Sequence, residues 1–292
     1  MSNMTVGENG TVSNTWNPTY GLAFGSVMVL GLPLNAVALW ILLRRHSLKS
    51  TSAVFMVNLA ISDLLLVVSL PMRVYFYATG TWPLNNMACI WITMLFRNNI
   101  RSSSIFITFI SIDRLLAVVY PLRSRHLRTS SNAWRAVALI WLFVVVWNIP
   151  ESVNFARFLN STNEKTCFEF DPKPQPTSIT YIQPVLVFTM LAVNIVSTAL
   201  VSWTLHRRLN DSARISNKVN VMLIFAMNLM MFPVFFLPVS LAVFFEERRI
   251  TGLICLASVN CCLDPLLYYF SFDGFWSRQE DVETSIARDD NR

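Results

Sequence analysis

The stretch SAVFMVNLAISDLLLVVSLPMRVYFYAT, residues 52–79, is predominantly apolar and carries two charged side chains, Asp63 and Arg73. An α-helix rises 1.5 Å per residue, so about 20 such residues cross a hydrocarbon core of about 30 Å. A charge inside a spanning helix is costly unless it is paired or hydrated. The stretch therefore predicts a transmembrane helix whose embedded charges are functional.

Six further stretches of the same kind fill the rest of the chain. Apolar residues make up 54% of the 292 residues and charged residues 14%, whereas about 25% of the residues of a soluble domain are charged. We predict an all-α membrane protein, a seven-transmembrane helix bundle over 20–271, with a glycosylated segment 1–19 before it and a short tail 272–292 after it. The predicted spans are 20–45, 52–79, 87–119, 133–152, 179–206, 215–245 and 249–271.

The distribution of basic residues predicts the orientation of this bundle. Lys and Arg collect on cytoplasmic loops; here they follow the first and third spans and lie between the fifth and sixth, whereas the first 43 residues contain none. We therefore expect a multi-pass plasma-membrane protein with its amino terminus outside and its carboxyl terminus inside. This bias explains the net charge of +6 better than nucleic-acid binding does.

Two kinds of feature fall on the predicted outer side. Asn3, Asn9 and Asn160 begin tripeptides that fit the N-glycosylation pattern. Cys89 opens the third span, and Cys167 lies in the long loop after the fourth, so both face an oxidising compartment. A disulfide between them would tie this loop to the outer end of the third span.

Polar residues near the middle of the spans form a second predicted site. Helices one, two, three and seven would bring together Asn35, Asp63, Ser103, Asn260 and Asp264. Two neighbouring carboxylates repel unless one is protonated or a cation lies between them. A sodium ion with oxygen ligands at Asp63 is one interpretation; a hydrated polar network that specifies helix packing is the other. We expect no other metal and no organic cofactor.

Three arginines lie in the outer third of the predicted bundle: Arg73, and Arg97 with Arg101 on one face of the third span. Glu151 and Glu169 are candidates to neutralise them structurally. The alternative is a cationic pocket for a phosphate or carboxylate, which suit the guanidinium fork. Basic residues at the outer rim would add steering charge. The predicted ligand-binding set is Arg73, Tyr77, Arg97, Arg101, Lys165, Arg248 and Arg249.

Other residues indicate a bundle that switches between shapes. Asp113 and Arg114 form a pair of opposite charges at the inner end of the third span. The sixth span contains Pro238 and the seventh Pro265. A proline in a spanning helix leaves a carbonyl without its usual donor and weakens the helix at that point.

These features, taken in order, resemble the landmarks of rhodopsin-like G-protein-coupled receptors. The matching residues are Asn35, the Leu59-Ala60-x-x-Asp63 run, Cys89 with Cys167, Asp113-Arg114-Leu115, Trp141, Phe236-Leu237-Pro238 and Asp264-Pro265-Leu266-Leu267-Tyr268. The seventh span has the Asp-Pro-x-x-Tyr form of its motif, beginning at Asp264, and the sixth has Phe236 before its proline. In both features the chain resembles the branch that holds purinergic, lysophospholipid and hydroxycarboxylic acid receptors. The segments 31–40, 70–73 with 82–83, and 260–265 most resemble lysophosphatidic acid receptors of types five and six.

The resemblance implies a role for each matching residue. Arg114 would engage a heterotrimeric G protein and Asp113 would restrain it at rest; Asp63 with Asp264 would hold sodium; Arg73 would bind an acidic headgroup. The switch would involve Phe236, Pro238, Pro265 and Tyr268, and Cys89–Cys167 would be the disulfide. The implied function is reception of an anionic ligand, a lysophospholipid such as lysophosphatidic acid. The alternatives are a receptor for a nucleotide or a small carboxylate, or an orphan receptor. A membrane transporter is a remote alternative.

Several protein classes fit the sequence poorly. An opsin needs a lysine in the seventh span, and residues 249–271 contain none. Amine receptors need a carboxylate in the third span where this chain has Arg97 and Arg101. A transporter would show an internal repeat or paired broken helices, and the sequence shows neither. An intramembrane protease would need a serine–histidine pair or two facing aspartates, and the only histidine within the predicted spans, His206, is the last residue of the fifth. We therefore expect no enzyme. The fifth span also departs from the family pattern, which has a proline near mid-span, because Pro184 lies near its outer end.

Overall fold

The structure, a computed structural model, describes residues 17–45, 48, 50–161, 167–168, 178–208, 215–244 and 250–268. Within these ranges, seven helices are long and apolar enough to cross a membrane, which confirms the predicted seven-span bundle. The first five helices are α1 (Pro18–Arg45), α2 (Thr51–Thr79), α3 (Asn86–Val119), α4 (Ser130–Ser161) and α5 (Ile182–Arg208).

The sixth and seventh helices are less regular. The segments Ile215–Met231, a π-helical turn Phe232–Phe236, an α-helical turn Leu237–Leu241 and a 3₁₀ turn Ala242–Phe244 together form α6. The seventh helix, α7, spans Ile250–Tyr268. A short 3₁₀ turn, Ser178–Tyr181, precedes α5.

Prolines explain where α6 departs from regular geometry. The Leu237 N–H donates to the Phe232 carbonyl, five residues earlier, which is the spacing of a π-helix. Pro238 follows directly, and its ring would collide with the carbonyl four residues earlier in a regular helix, so the wider turn relieves that collision. In α7, Cys262 N–H donates to the Val259 carbonyl at 3.0 Å, a tighter three-residue spacing. Both helices that were predicted to be weak are locally distorted.

The fourth helix is longer than predicted. It ends at Ser161, whereas the expected span ended at residue 152, because Pro150 and the polar residues after it resemble the start of a loop. Glu151, Phe155 and Leu159, four residues apart, are all buried, so one face of the helix continues inward past the proline. That spacing was a helical signal in the sequence.

The distribution of polarity fits a bilayer. Asn35, Asp63 and Asp264 are fully buried. Large apolar side chains such as Val68 and Leu139 are instead exposed on the outside of the bundle. Lipid tails are as apolar as these side chains, so nothing drives them into the protein.

Local sequence sets the connection between α2 and α3. Gly80 ends α2 with φ 72°, a left-handed conformation that glycine adopts without steric cost, and its N–H donates to the Phe76 carbonyl at 2.7 Å. The side chain of Asn85 then caps α3 by accepting from the Ala88 N–H at 2.9 Å. This short connection fixes the outer end of α2 beside that of α3.

Candidate functional site

Arg73 of α2 lies in a cage of aromatic rings. Following the predicted orientation, we call its end of the bundle the outer end. The guanidinium carbon lies 4.1 Å from the ring centre of Phe168, 4.6 Å from that of Phe96 and 5.9 Å from that of Phe24. The residue is only 2% exposed. We call these three phenylalanines the aromatic cage.

No carboxylate among the described residues forms an ion pair with Arg73, and its Nε is buried without a hydrogen-bond partner there. Cation–π contacts compensate part of the cost of burying a guanidinium, because the ring faces are electron-rich. They do not supply the hydrogen-bond acceptor that Nε lacks. The cage therefore holds a positive charge that can accept an anion.

The disulfide carries one wall of this cage. Cys89, in the first turn of α3, is bonded to Cys167, which confirms the expected disulfide. Phe168 follows Cys167 directly, so the bond fixes the backbone next to the ring that faces Arg73. Tyr77, a predicted ligand-binding residue, is buried behind the cage and stacks on Phe24 with ring centres 5.6 Å apart.

Arg97 and Arg101 share one carboxylate. Both oxygens of Glu151 accept from the Arg101 Nη2, at 2.7 and 2.8 Å. Arg97 Nη1 lies 3.6 Å from Glu151 Oε2, and its side chain is 32% exposed. The structure thus favours structural neutralisation for Arg101, the alternative that the sequence left open. Two guanidiniums against one carboxylate leave a net positive charge at the more exposed Arg97.

A polar network surrounds the Arg101 side chain. Its Nη1 donates to Asn148 Oδ1 at 2.5 Å and its Nε to Gln183 Oε1 at 2.9 Å. Asn148 in turn donates to the side chain of Asn98, and the guanidinium also lies 5.1 Å from the Trp147 ring centre. Arg101 therefore braces α3 against α4 and α5. None of the three amide side chains in this network was predicted from the sequence.

Two cavities lie away from the three arginines. One, of about 510 Å³, is lined by residues 82–87 at the outer surface. The other, of about 330 Å³, is a groove on the lipid side of α3, α4 and α5 that includes Phe109 and Phe143. Neither is lined by an arginine. Because Arg73 is almost fully buried, the aromatic cage is closed in this conformation. Lys165, Arg248, Arg249 and Glu169 lie outside the described residues.

The predicted midplane residues Asp63, Ser103, Asn260 and Asp264 come together, with one addition. Asn35 instead donates to the backbone carbonyls of Gly31 and Cys261. Asn99 donates to Asp63 Oδ1 at 2.9 Å and also to Ser62 and Ser103, at 3.2 and 3.1 Å. Asn260 donates to Asp264 Oδ2 at 2.9 Å, and Asp264 lies close enough to Asp63 to interact with it. Asn99 was not predicted, although it lies one turn from Ser103 on the same face of α3.

Three oxygens of this cluster lack hydrogen-bond partners among the described residues: Asp63 Oδ2, Asp264 Oδ1 and Asn260 Oδ1. Each belongs to a fully buried residue. Unpaired buried oxygens are costly, and an oxygen-coordinated cation or water satisfies them. The donor set fits the sodium ion that the sequence suggested.

At the inner end of α3, the ion pair differs from the expected one. Asp113 accepts from Arg128 Nε at 2.8 Å and from Ser52 Oγ of α2. No ion pair forms between Asp113 and Arg114, and Arg114 Nε has no hydrogen-bond partner in the described part of the chain. In this conformation Arg128 pairs with the carboxylate that was expected to restrain Arg114, so that restraint stays a prediction.

The remaining predicted residues are placed as follows. Phe236 is buried against Phe232, with ring centres 5.4 Å apart, at the distorted turn before Pro238. Tyr268 is also buried, and its hydroxyl has no hydrogen-bond partner within the described ranges. Asn160 is exposed in the last turn of α4, whereas Asn3 and Asn9 lie outside the described residues.

Comparison with known proteins agrees with this architecture. The family model of the 7 transmembrane receptor (rhodopsin family) matches residues 34–268. The chain belongs to this family. It is therefore a receptor and not an enzyme, a multi-pass protein of the plasma membrane, and coupling to G proteins is general in its family.

Individual relatives are similar over most of their length. The lysophosphatidic acid receptor 6 of Gallus gallus is 32% identical over 294 residues, 92% of this receptor and 95% of that protein. The lysophosphatidic acid receptor 5 of Bos taurus is 34% identical over 282 residues, 87% and 76% of the two chains. The cysteinyl leukotriene receptor 1 of Sus scrofa is 28% identical over 292 residues, 91% and 85%.

Proposed function

We propose that this receptor binds an extracellular lysophospholipid with an anionic headgroup, such as lysophosphatidic acid, and activates heterotrimeric G proteins. The observation that carries the proposal is the buried guanidinium of Arg73, which has no carboxylate partner among the described residues. Two of the relatives described above are named lysophosphatidic acid receptors. Their similarity supports this ligand class.

The headgroup forms its main ion pair with Arg73. A guanidinium offers parallel N–H donors that match the oxygens of a phosphate. Arg97 supplies a second, more exposed positive charge, since both carboxylate oxygens of Glu151 already accept hydrogen bonds from Arg101. Arg101 keeps α3, α4 and α5 in register around this pocket and is not itself the main ligand contact.

Ligand binding shifts a population of existing shapes. A ligand moves such an equilibrium only by its difference in affinity for the two states. The headgroup favours the state in which Arg73 is accessible. α6 and α7 then rearrange at the distorted turns that precede Pro238 and Pro265. The inner ends of these helices then open a surface at Arg114 for the G protein.

We further propose that a sodium ion binds between α2, α3 and α7. Asp63, Ser103, Asn260 and Asp264 would hold it, together with Asn99 as a neighbour that orients Asp63. The fit rests on three buried oxygens without partners in the described chain. A bound cation would neutralise the repulsion between the two carboxylates.

A panel of ligands tests the proposed function. Cells that express the receptor are exposed to lysophosphatidic acid, other lysophospholipids, leukotrienes, nucleotides and small carboxylates, and G-protein activation is measured against cells without the receptor. We expect a response to lysophospholipids. A response to carboxylates or nucleotides alone would replace the proposal by the hydroxycarboxylic acid-like or purinergic-like alternative.

Arginine variants then test the site. Arg73→Ala should lower ligand potency by more than about tenfold, since it removes a charge-assisted, buried contact. Arg157→Ala is the matched control, because Arg157 is exposed near the outer end of α4. Surface expression is measured for each variant. Unchanged potency in well-expressed Arg73→Ala would contradict the assignment of the pocket.

A further inference from the structure

Phe168 differs from the other two walls of the aromatic cage. Phe24 lies on α1 and Phe96 on α3, and both are buried in the helix bundle. Phe168 lies in the segment between α4 and α5 and is only partly buried. It is therefore the wall between Arg73 and the outside.

An anion cannot reach Arg73 in this conformation without moving one wall. The guanidinium is 2% exposed, and displacing Phe24 or Phe96 would disturb the packing of a spanning helix. Rotation of the Phe168 side chain opens the cage without moving a spanning helix, because Phe168 lies outside the helices and is only partly buried.

Aromatic contacts and the disulfide hold Phe168 in the closed position. Its ring makes edge contacts with Phe76 and Trp82, with ring centres 5.4 Å apart in each case. The neighbouring Cys167 is bonded to Cys89. The disulfide thus fixes the backbone beside Phe168, and opening requires the ring to leave its aromatic contacts. The ring therefore returns to the same place each time the gate closes.

We propose that Phe168 is a positioning residue for ligand capture, a gate that covers Arg73 and opens to admit the anionic headgroup. The inference rests on the proposed function for the role of Arg73, but the gate itself is a property of the outer face. In this proposal the disulfide has a second role besides closing the loop, because it keeps Phe168 next to the Arg73 guanidinium.

Ligand kinetics give the first test. Phe168→Leu keeps an apolar side chain but removes the ring, so lysophosphatidic acid should associate and dissociate faster. We expect a rise of at least about fivefold in each rate, because the lost cation–π contact involves a buried guanidinium. Phe168→Tyr keeps the ring and should behave as the unchanged receptor. Equal rates in Phe168→Leu and the unchanged receptor would overturn the gate.

Chemical accessibility gives a test that needs no ligand. In an Arg73→Cys variant, the rate of reaction with a charged methanethiosulfonate reagent is measured with Phe168 and with Phe168→Leu. The gate predicts slow labelling with Phe168, fast labelling with Phe168→Leu, and slow labelling with Phe168→Tyr. The aromatic contacts to Phe76 and Trp82 keep the gate closed in this background, since they do not involve Arg73.

Two controls distinguish opening of the gate from general loosening of the outer face. Labelling of the Phe168→Leu variant with Arg73 intact measures the background from the native cysteines. Arg157→Cys reports on an exposed outer site and should label equally with Phe168 and Phe168→Leu. A faster rate at both cysteines would indicate general loosening and overturn the proposal. Faster labelling at residue 73 alone, without any lysophospholipid response, would refute the proposed ligand and leave the gate standing.

Discussion

Asn35 of α1 donates its side-chain N–H to the Cys261 carbonyl of α7 at 2.7 Å. Cys261 lies four residues before Pro265, so its carbonyl is the one that would accept the N–H that proline lacks. The same amide also donates to the Gly31 carbonyl at 3.0 Å. A side chain of α1 therefore supplies the hydrogen bond that the Cys261 carbonyl cannot receive within α7.

Loss of this donor should destabilise the receptor. Asn35→Ala leaves the Cys261 carbonyl buried without its partner, and an unsatisfied buried polar group costs about 1–3 kcal/mol. We expect a lower thermal unfolding midpoint for the purified receptor in detergent, measured with a thiol-independent fluorescence or scattering readout, since native cysteines lie beside the site.

A double-mutant cycle tests whether the amide acts through the Cys261 carbonyl. Pro265→Ala restores an N–H that can bond to this carbonyl within α7. Asn35→Ala should then cost less in the Pro265→Ala background than in the unchanged receptor, because the two substitutions act on one acceptor. Equal costs in both backgrounds would show that the amide stabilises the bundle in another way.

Glu151 should be essential for folding. Glu151→Gln leaves the Arg101 guanidinium buried without its carboxylate, and breaking a buried ion pair on one side costs about 3–5 kcal/mol. We expect a strong loss of receptor at the cell surface and a lower unfolding midpoint. The cost falls on stability, whereas Arg73→Ala should affect potency.

Removal of the whole pair should be milder. In the double variant Arg101→Met, Glu151→Met, neither member of the pair is left buried without the other, and apolar replacement of a buried pair is often close to neutral. Arg97 stays partly exposed and hydrated. Surface expression of the double variant should exceed that of Glu151→Gln. The reverse order would mean that Glu151 acts mainly through groups other than Arg101.

Length and polarity predicted most of the fold. Every spanning stretch is long enough to cross the hydrocarbon core, so hydropathy identified all seven helices. The end of α4 was missed because Pro150 and polar residues outweighed a buried face at four-residue spacing. The π-helical turn in α6 was not predicted either, since Pro238 indicates that a helix is disturbed and not how it adjusts.

The sequence identified individual residues of the sites but not the residues that they contact. A charge in an apolar span stands out, so Arg73, Arg101 and Asp63 were identified from the sequence. Their partners were not, because packing between distant helices decides them: Arg101 and Glu151 are 50 residues apart. Phe24 and Phe96 look like ordinary apolar residues of their spans, and Phe168 like an ordinary loop residue. Arg128 looked like one more orienting charge.

Sodium should lower agonist affinity through the midplane cluster. Asp63→Asn removes one carboxylate, so we expect agonist affinity to become independent of sodium. The measurement compares sodium chloride with N-methylglucamine chloride at equal ionic strength. Ser69→Ala is a matched control on α2, since the Ser69 hydroxyl donates to the carbonyl of Leu66 in its own helix. Sodium dependence that survives in Asp63→Asn would contradict the site.

At the inner end of α3, two arginines compete for one carboxylate. Arg128 binds Asp113 through two nitrogens, at 2.8 and 3.3 Å. Arg114 is adjacent in sequence but forms no ion pair with Asp113 among the described residues. Because a carboxylate pairs with whichever guanidinium it reaches, removal of Arg128 makes Asp113 available to Arg114.

Arg128→Ala should therefore lower ligand-independent G-protein activation, since the freed Asp113 restrains Arg114. This decrease should disappear in the double variant Arg128→Ala, Asp113→Asn, because the carboxylate that would restrain Arg114 is then absent. Arg125→Ala is the matched control: Arg125 lies in the same turn and is exposed. Basal nucleotide exchange on purified G protein, normalised to receptor amount, distinguishes these variants. Higher basal activity in Arg128→Ala would mean that the Arg128–Asp113 pair is itself the resting restraint, and that Arg114 is held by other contacts.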